Sequence, residues 1–451
     1  MSHFSLEDMI QQAGNPALML RTAPVGTYDL PFASEFSNWR DEQKAWMTTS
    51  VLFDQSFHMT DVNFRGRDVK RLFSDVAVNS FANFGKGKAK QLVVVNYDGK
   101  LIADAILFAF EDDHYSVVGT GVAARWVQFH AETGGYDVEV TTDLRTVENP
   151  GKRRLFRFQL NGPLTQQILM DASGGTLKPI KFFNMGMMTI AGVEVQALNH
   201  TMTGVPGAEM TGLELMGPAE QGEAVRAAIL EAGKDFGLVQ GGARAYTSTS
   251  TEGGWIPMPV PAIYTGEKMR AYREWLPGFS LEGFHAIGGS YASDNIEDYY
   301  VSPFDVGYGR TVKFDHDFIG REALARISQE PKRQKVWLRW NDDDVARVMA
   351  SSLFDGPKRA KYIDLPFATY ANSPYDQVLS GDRLIGVSTY SAYTVNIGGF
   401  ASLAMIDEVD VRDGSEVTIV WGETGPGTAK PTVEEHELTT IRARLHTDPL
   451  V

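Results

Sequence analysis

Gln91–Phe110, QLVVVNYDGKLIADAILFAF, sets two apolar runs on either side of Asp98-Gly99. An Asp-Gly pair between apolar segments is a strong short-range hairpin signal, because both turn positions must accept positive φ. Gln91–Tyr97 and Leu101–Phe110 therefore read as antiparallel strands, with His114–Val118 a third beyond the turn Glu111-Asp112-Asp113. Helical periodicity flanks them in Phe36–Met47, Asp68–Asp75 and Ala123–Glu132. Phe156–Leu160, Met188–Asn199 and Leu213–Met216 add strands, and Pro218–Gly237 carries a further helix. Antiparallel hairpins with helices on one side predict an α+β chain, not the regular alternation of a doubly wound sheet.

Toward the amino terminus, Ser5–Arg21 reads as one amphipathic helix with Ser5 as N-cap and Glu7 and Asp8 in its first turn. Toward the carboxyl terminus, a composition shift at Gln329–Arg333 marks a domain boundary. Beyond it Val336–Trp340, Ile363–Tyr370, Asp376–Ser391, Phe400–Ile406, Glu416–Trp421 and Glu437–Leu445 predict a small antiparallel barrel or sandwich.

At 451 residues, with 43% apolar and 22% charged, the chain is long enough for two or three domains with sizeable cores. A net charge of −15 argues against a nucleic-acid partner. The absence of cysteine removes disulfides, thiolate metal sites and a cysteine nucleophile. The start MSHFSLEDMIQQ lacks the basic and apolar regions of a signal peptide, and no run approaches the ~20 apolar residues of a membrane helix. A cytoplasmic enzyme without a membrane partner is expected. There is no Walker loop, GxSxG, HExxH or Rossmann fingerprint. The nine histidines lack ligand spacing, so no metal is expected.

Val51–Met59, VLFDQSFHM, sets Asp54, Gln55 and His58 into an apolar run, where buried polar groups need partners or a task. Asp54 can bond the backbone two residues on, curling the chain so that Gln55 and His58 share one side. The same three residues would also serve simply to organise a buried turn. Asp104 stands mid-strand between Ala103 and Ala105, where a carboxylate is costly unless paired or raised in pKa. The small neighbours suit either a ligand or close strand packing. Tyr246 and Trp255 lie in ARAYTSTSTEGGWIP, read as a loop that either lids a pocket or is pinned down by the two rings. A phenol can move a proton, and an indole offers a flat face to an aromatic ligand. Glu209 and Glu214 bracket Gly212, facing either a polar ligand or solvent.

FSNWRDEQ, VLFDQSFHM, FRGRDVKRLFSD, NYDGKLIADAILF, HYSVVG, FQLNGP, IAGVEV, GPAE, DFIGREAL and RLIGVSTYSAYTVNIGGFASLAMID follow one another across nearly the whole chain. In that order they resemble the glycine-cleavage aminomethyltransferase superfamily. KFFNMGMM, AILEAGKDFGL, PAIYTGEKMRAYREWLP, SDNIEDYY and KFDHDFIGRE resemble its branch of tetrahydrofolate-dependent aromatic O-demethylases of the vanillate type. The resemblance implies a three-lobed fold. Residues 1–330 would form two interwoven α+β lobes around a central pocket, and residues 331–451 a C-terminal antiparallel β-barrel. It implies pocket roles for Gln55, His58, Tyr246 and Trp255, with Glu214 as a pterin contact. Asp104 matches the second carboxylate of the aminomethyltransferase Asp-Asp pair, whose first is here Ala103.

Two departures bear on the substrate. Thr120 stands where the resemblance implies an arginine, and Leu30, two residues after Tyr28, where it implies a tyrosine; both would hold a substrate carboxylate. Arg125, one turn along the helix, could substitute, but from helix geometry it is expected to point elsewhere. A small aromatic substrate without a carboxylate follows, because an unpaired buried carboxylate costs several kcal/mol. Tyr28, Leu30, Thr120 and Trp255 would line its site. Two reactions fit. The resemblance to phenylcoumaran γ-formaldehyde lyases implies ionisation of the phenol by His58 or Tyr246 and release of formaldehyde to leave a stilbene, with no cofactor. The alternative is O-demethylation of a methoxylated aromatic to a catechol with tetrahydrofolate as methyl acceptor. The lost carboxylate clamp favours the lyase, and Glu214 leans toward the demethylase.

Overall fold

The computed structural model describes residues 4–24, 28–149, 151–204, 210–354, 358–425 and 430–451; Glu209 lies outside them. The anticipated hairpin forms from Lys88–Val95 and Leu101–Glu111, antiparallel, with Val95 opposite Leu101. Asn96 shapes its turn: Oδ1 accepts from the Asp98 and Lys100 amides at 3.0 and 2.9 Å, and Gly99 takes φ 73°. His114–Gly119, Thr60–Arg65 and Glu139–Asp143 extend the hairpin to a five-stranded antiparallel sheet. Val122, Ala123, Trp126 and Val127 of the helix Val122–Thr133 join the core beneath it.

A second sheet runs in the order Leu238–Gly241, Ser50–Asp54, Leu155–Asn161, Gly212–Pro218, Val193–Asn199 and Met185–Ile190. Its first pair is parallel and the others antiparallel. The chain crosses from this sheet to the first through Gln55–Met59, leaving one at Asp54 and entering the other at Thr60. VLFDQSFHM is thus a strand end followed by a bridge between sheets. Asp54 Oδ1 accepts from the Ser56 amide at 3.0 Å, forming the anticipated local turn.

The third lobe is a closed six-stranded barrel in the order Arg333–Trp340, Gly399–Asp407, Arg383–Thr394, Asp376–Ser380, Glu416–Trp421 and Thr439–His446. Closure removes sheet edges, and Val336, Leu338, Ile385, Ala404, Ile419 and Ile441 fill the interior. The helix Asp342–Leu353, which was not anticipated, is capped by Asn341, whose Oδ1 accepts from the Asp344 amide at 3.0 Å.

Four sequence expectations change. Ser5 caps the first helix with Asp8 in a reciprocal capping box, but Ser5–Arg21 is two helices, Leu6–Ala13 and Pro16–Arg21. Gly14 leaves the first at φ 72°, and Pro16 has no amide hydrogen with which to continue it. Ile363–Tyr370 forms no strand: Pro366 interrupts it, and Tyr370 Oη bonds the Tyr362 carbonyl at 2.8 Å and the Asp364 amide at 3.1 Å. Asp376–Ser391 splits into two strands turning at Gly381, φ 60°. ARAYTSTSTEG is no loop but the helix Ala243–Gly253. Its hydroxyls fold onto their own backbone: Ser248 and Thr249 each donate at 2.7 Å to the carbonyl three residues earlier. Among the described residues, no helix is long and apolar enough to cross a membrane.

Candidate active site

The bridge between the sheets brings Gln55 and His58 against Tyr246, on the first turn of the helix Ala243–Gly253. Gln55 Nε2 donates to Tyr246 Oη at 3.1 Å and lies 2.9 Å from Met202 Sδ. His58 Nε2 lies 3.0 Å from the same phenol oxygen, and the two rings meet edge-on at 5.1 Å. Phe32 and Phe53 close the group with rings 5.8 and 5.2 Å from Tyr246. All three polar side chains are buried. Among the described residues, Gln55 Oε1 and His58 Nδ1 have no hydrogen-bond partner.

Burial sets the ionisation here. It lowers the His58 pKa to about 3, and the positive charges of Arg153 and Arg145 push the same way, so the imidazole is neutral. Tyr246 moves upward, chiefly by burial and against the bond from Gln55, so it keeps its proton. If Gln55 and His58 both donate to Tyr246, its own hydrogen is directed away from them and His58 Nδ1 becomes a bare acceptor.

Tyr28 donates its hydroxyl to the His58 carbonyl, and the Arg145 guanidinium lies 4.7 Å over its ring. Leu30 packs beside Tyr246 with Trp39, Val51 and Phe53. Glu214 is tied in through charge. Arg157 Nη1 donates to Glu214 Oε1 at 2.6 Å, while its Nε and Nη2 hold Asp61 Oδ1. Arg153 bridges from Asp61 to Asp143. Glu214 Oε2 takes no bond among the described residues, and the Glu214 charge acts on both Tyr246 and His200.

Asp104 lies in the other sheet, and Thr120 just past the end of its strand His114–Gly119. Asp104 accepts from Gln91 Nε2 at 2.8 Å. It remains partly accessible, and burial raises its pKa to about 6. Thr120 follows Gly119, which packs on Ala105 beside Asp104, so the two share a corner. Trp255 sits half-buried past the end of the Tyr246 helix, its amide on the Ser250 carbonyl at 3.2 Å. Its ring makes no contact with the other aromatic rings among the described residues.

Sequence reasoning missed Arg157 and Asp61, which join the two sheets: Arg157 also stacks over Phe108 at 5.2 Å. The signal was present, since a charged residue mid-strand in LFRFQLN needs a partner as much as Asp104 does. It also misjudged Arg125. Helical side chains lean toward the N-terminus, and the Arg125 guanidinium folds back onto Gly121, next to Thr120. Among the described residues, no group of three or more His, Asp or Glu side chains is arranged to hold a metal.

Comparison with known proteins agrees with this architecture. The GCVT N-terminal domain family matches residues 19–259. A syringate O-demethylase of Sphingobium sp. is 45% identical over 97% of this chain and 94% of that protein. A sesamin methylene transferase of Sinomonas sp. is 32% identical over 80% of this chain and 79% of its own length. The crystal structure of aminomethyltransferase T of the glycine cleavage system from Bartonella henselae superposes with a TM-score of 0.59 at 15% identity, covering 92% of this chain and 90% of that one. The fold is therefore that of an aminomethyltransferase, two α+β lobes with a C-terminal antiparallel barrel. The chain belongs to the glycine-cleavage aminomethyltransferase (T-protein) superfamily, in its aromatic O-demethylase branch.

Proposed function

We propose that the protein demethylates a methoxylated aromatic compound to a catechol, passing the methyl group to tetrahydrofolate. The observation that carries this reading is the Tyr246 hydroxyl, bonded by Gln55 and His58 in an aromatic enclosure that leaves Gln55 Oε1 and His58 Nδ1 unpartnered among the described residues. Identity of 45% to a syringate O-demethylase supports it. The relatives are named for demethylation and one-carbon transfer, which favours this reaction over the formaldehyde-releasing lyase that the missing carboxylate clamp had suggested.

The residues fit a folate. Among the described residues Glu214 Oε2 takes no bond while Arg157 fixes its other oxygen, and the partly accessible Asp104 carboxyl has its pKa raised by burial to about 6. These two would hold tetrahydrofolate, which when bound supplies the nitrogen that accepts the methyl group. The chain's own residues manage the oxygen left behind. Cleavage of the methyl–oxygen bond leaves its electron pair on the phenolic oxygen, and Tyr246, protonated in its buried setting, offers that oxygen a hydrogen bond. Neutral His58 aligns Tyr246 without competing for its proton, and Phe32 and Phe53 exclude water beside it.

The test is incubation of the purified protein with syringate, simple methoxyphenols and a phenylcoumaran alcohol, with and without tetrahydrofolate. Methyl-folate and a catechol formed only when folate is present are expected. Formaldehyde and a stilbene formed without folate would overturn the reading.

A further inference from the structure

The helix that carries Tyr246, Ala243–Gly253, begins at Gly242, which has no side chain to cap it. Its first amides are met from one other part of the chain. Ala243 donates to the Ala33 carbonyl at 2.9 Å and Arg244 to the Ser34 carbonyl at 3.1 Å, while the Gly242 amide donates to Glu42 Oε2 at 2.9 Å. Glu42 belongs to a different helix, Trp39–Thr48. Its second oxygen, Oε1, accepts from the Phe36 and Ser37 amides at 2.8 and 2.9 Å. The side chain is fully buried, and each of these bonds is one it accepts, as a carboxylate does at the positive end of a helix.

The segment clamped in this way also carries Phe32, whose ring lies 5.8 Å from both His58 and Tyr246. Segment and helix meet at backbone distance: a Cβ at Gly242 would come within 2.3 Å of the Ser34 carbonyl oxygen. Arg244 adds a side-chain tie, Nη1 to Glu35 Oε1 at 2.7 Å. Phe32 and Tyr246, two faces of one enclosure, are thus held in register by a carboxylate between their backbones.

We propose that Glu42 is a positioning residue for methyl transfer, setting the Tyr246 phenol against Gln55, His58 and Phe32 through its bond to the Gly242 amide. This rests on the demethylase reading and adds a residue to it.

Glu42→Gln is the probe, because its amide nitrogen cannot accept. Giving up the single Gly242 bond costs less than giving up the Phe36 and Ser37 pair, so the start of the helix is released. The variant is combined with Tyr246→Phe in a double-mutant cycle, following methyl-folate formed from syringate. In the wild-type background Glu42→Gln should lower kcat about 10- to 100-fold with little change in KM, the scale of a small misplacement of a reacting group. In the Tyr246→Phe background the loss should shrink to about twofold, since the group being positioned is gone. Equal losses in both backgrounds, or an undiminished kcat, would overturn the proposal. Glu42→Asp, which keeps the charge but reaches only one side, goes through the same cycle if the glutamine variant does not fold. A second readout needs no turnover. With tyrosine enriched in ¹³C at Cζ, the Tyr246 resonance, identified by its loss in Tyr246→Phe, should shift in Glu42→Gln; an unmoved resonance would also overturn the proposal. Failure of the demethylase reading would look different: methyl transfer would be absent from the wild type while the Tyr246 resonance still moved.

Discussion

Two buried polar groups lie side by side in this molecule and are built on opposite rules. In the Arg157 group every charge is met: Arg157 holds Asp61 and Glu214, and Arg153 holds Asp61 and Asp143. In the Tyr246 group the members are neutral, and two of their buried atoms, Gln55 Oε1 and His58 Nδ1, are met by no described residue. Energetics explains the division. An ion stripped of water and partner costs several kcal/mol, so a charged wall has to be completed by the fold. An unpartnered neutral atom costs about 1–3 kcal/mol, small enough to be kept for a ligand to satisfy. Paired charges therefore mark the support, and neutral groups mark the candidate site.

The largest effect should come from breaking the wall. Arg157→Met strands Glu214 and leaves Asp61 to Arg153 alone, and a loss of about 3–5 kcal/mol of stability is expected in chemical denaturation. A loss under about 1 kcal/mol would show that the wall is not what joins the sheets. Tyr246→Phe should act the other way round. Turnover should fall by about 10²- to 10⁴-fold, the range for a positioned proton donor, while the denaturation midpoint stays close to that of wild type. A large stability loss with modest kinetic change would place Tyr246 with the support instead.

The same contrast explains what could be read from the sequence. The hairpin at Asp98-Gly99 and the turn at Asp54 are local, decided by residues within a few positions, and both form. The Ala243–Gly253 stretch reads as a loop in the sequence but is a helix, whose serine and threonine hydroxyls bond carbonyls of their own preceding turn. The pairing of His58 with Tyr246 spans 188 positions, so spacing could not reveal it, and only the resemblance placed both in one pocket. Arg125 was judged by its position on the helix alone. The glycine at 121 that admits its guanidinium was visible, but its meaning depended on the side chain's return path.

The smallest effect, and the finest probe of the neutral group, is its response to acid. His58 titrates at about 3 in the folded protein and near 6.5 unfolded. Between those values the unfolded chain binds the extra proton, so the stability due to His58 is complete above about pH 6.5 and is lost as pH falls toward 3. At about pH 5 the loss is roughly 2 kcal/mol. His285 and His130, lowered by burial to about 3 and about 4, add losses of the same sign. Asp104 and Asp376, raised to about 6 and about 7, contribute oppositely, their stability falling as pH rises through that range. All four are retained in His58→Asn, so they cancel when variant and wild type are compared. The wild type should therefore lose roughly 2 kcal/mol more than the variant between about pH 7 and about pH 5, followed by denaturant unfolding. Parallel curves would mean that His58 is already charged in the fold. The Tyr246 group would then obey the same rule as the Arg157 wall, and the distinction between support and site would fail at its centre.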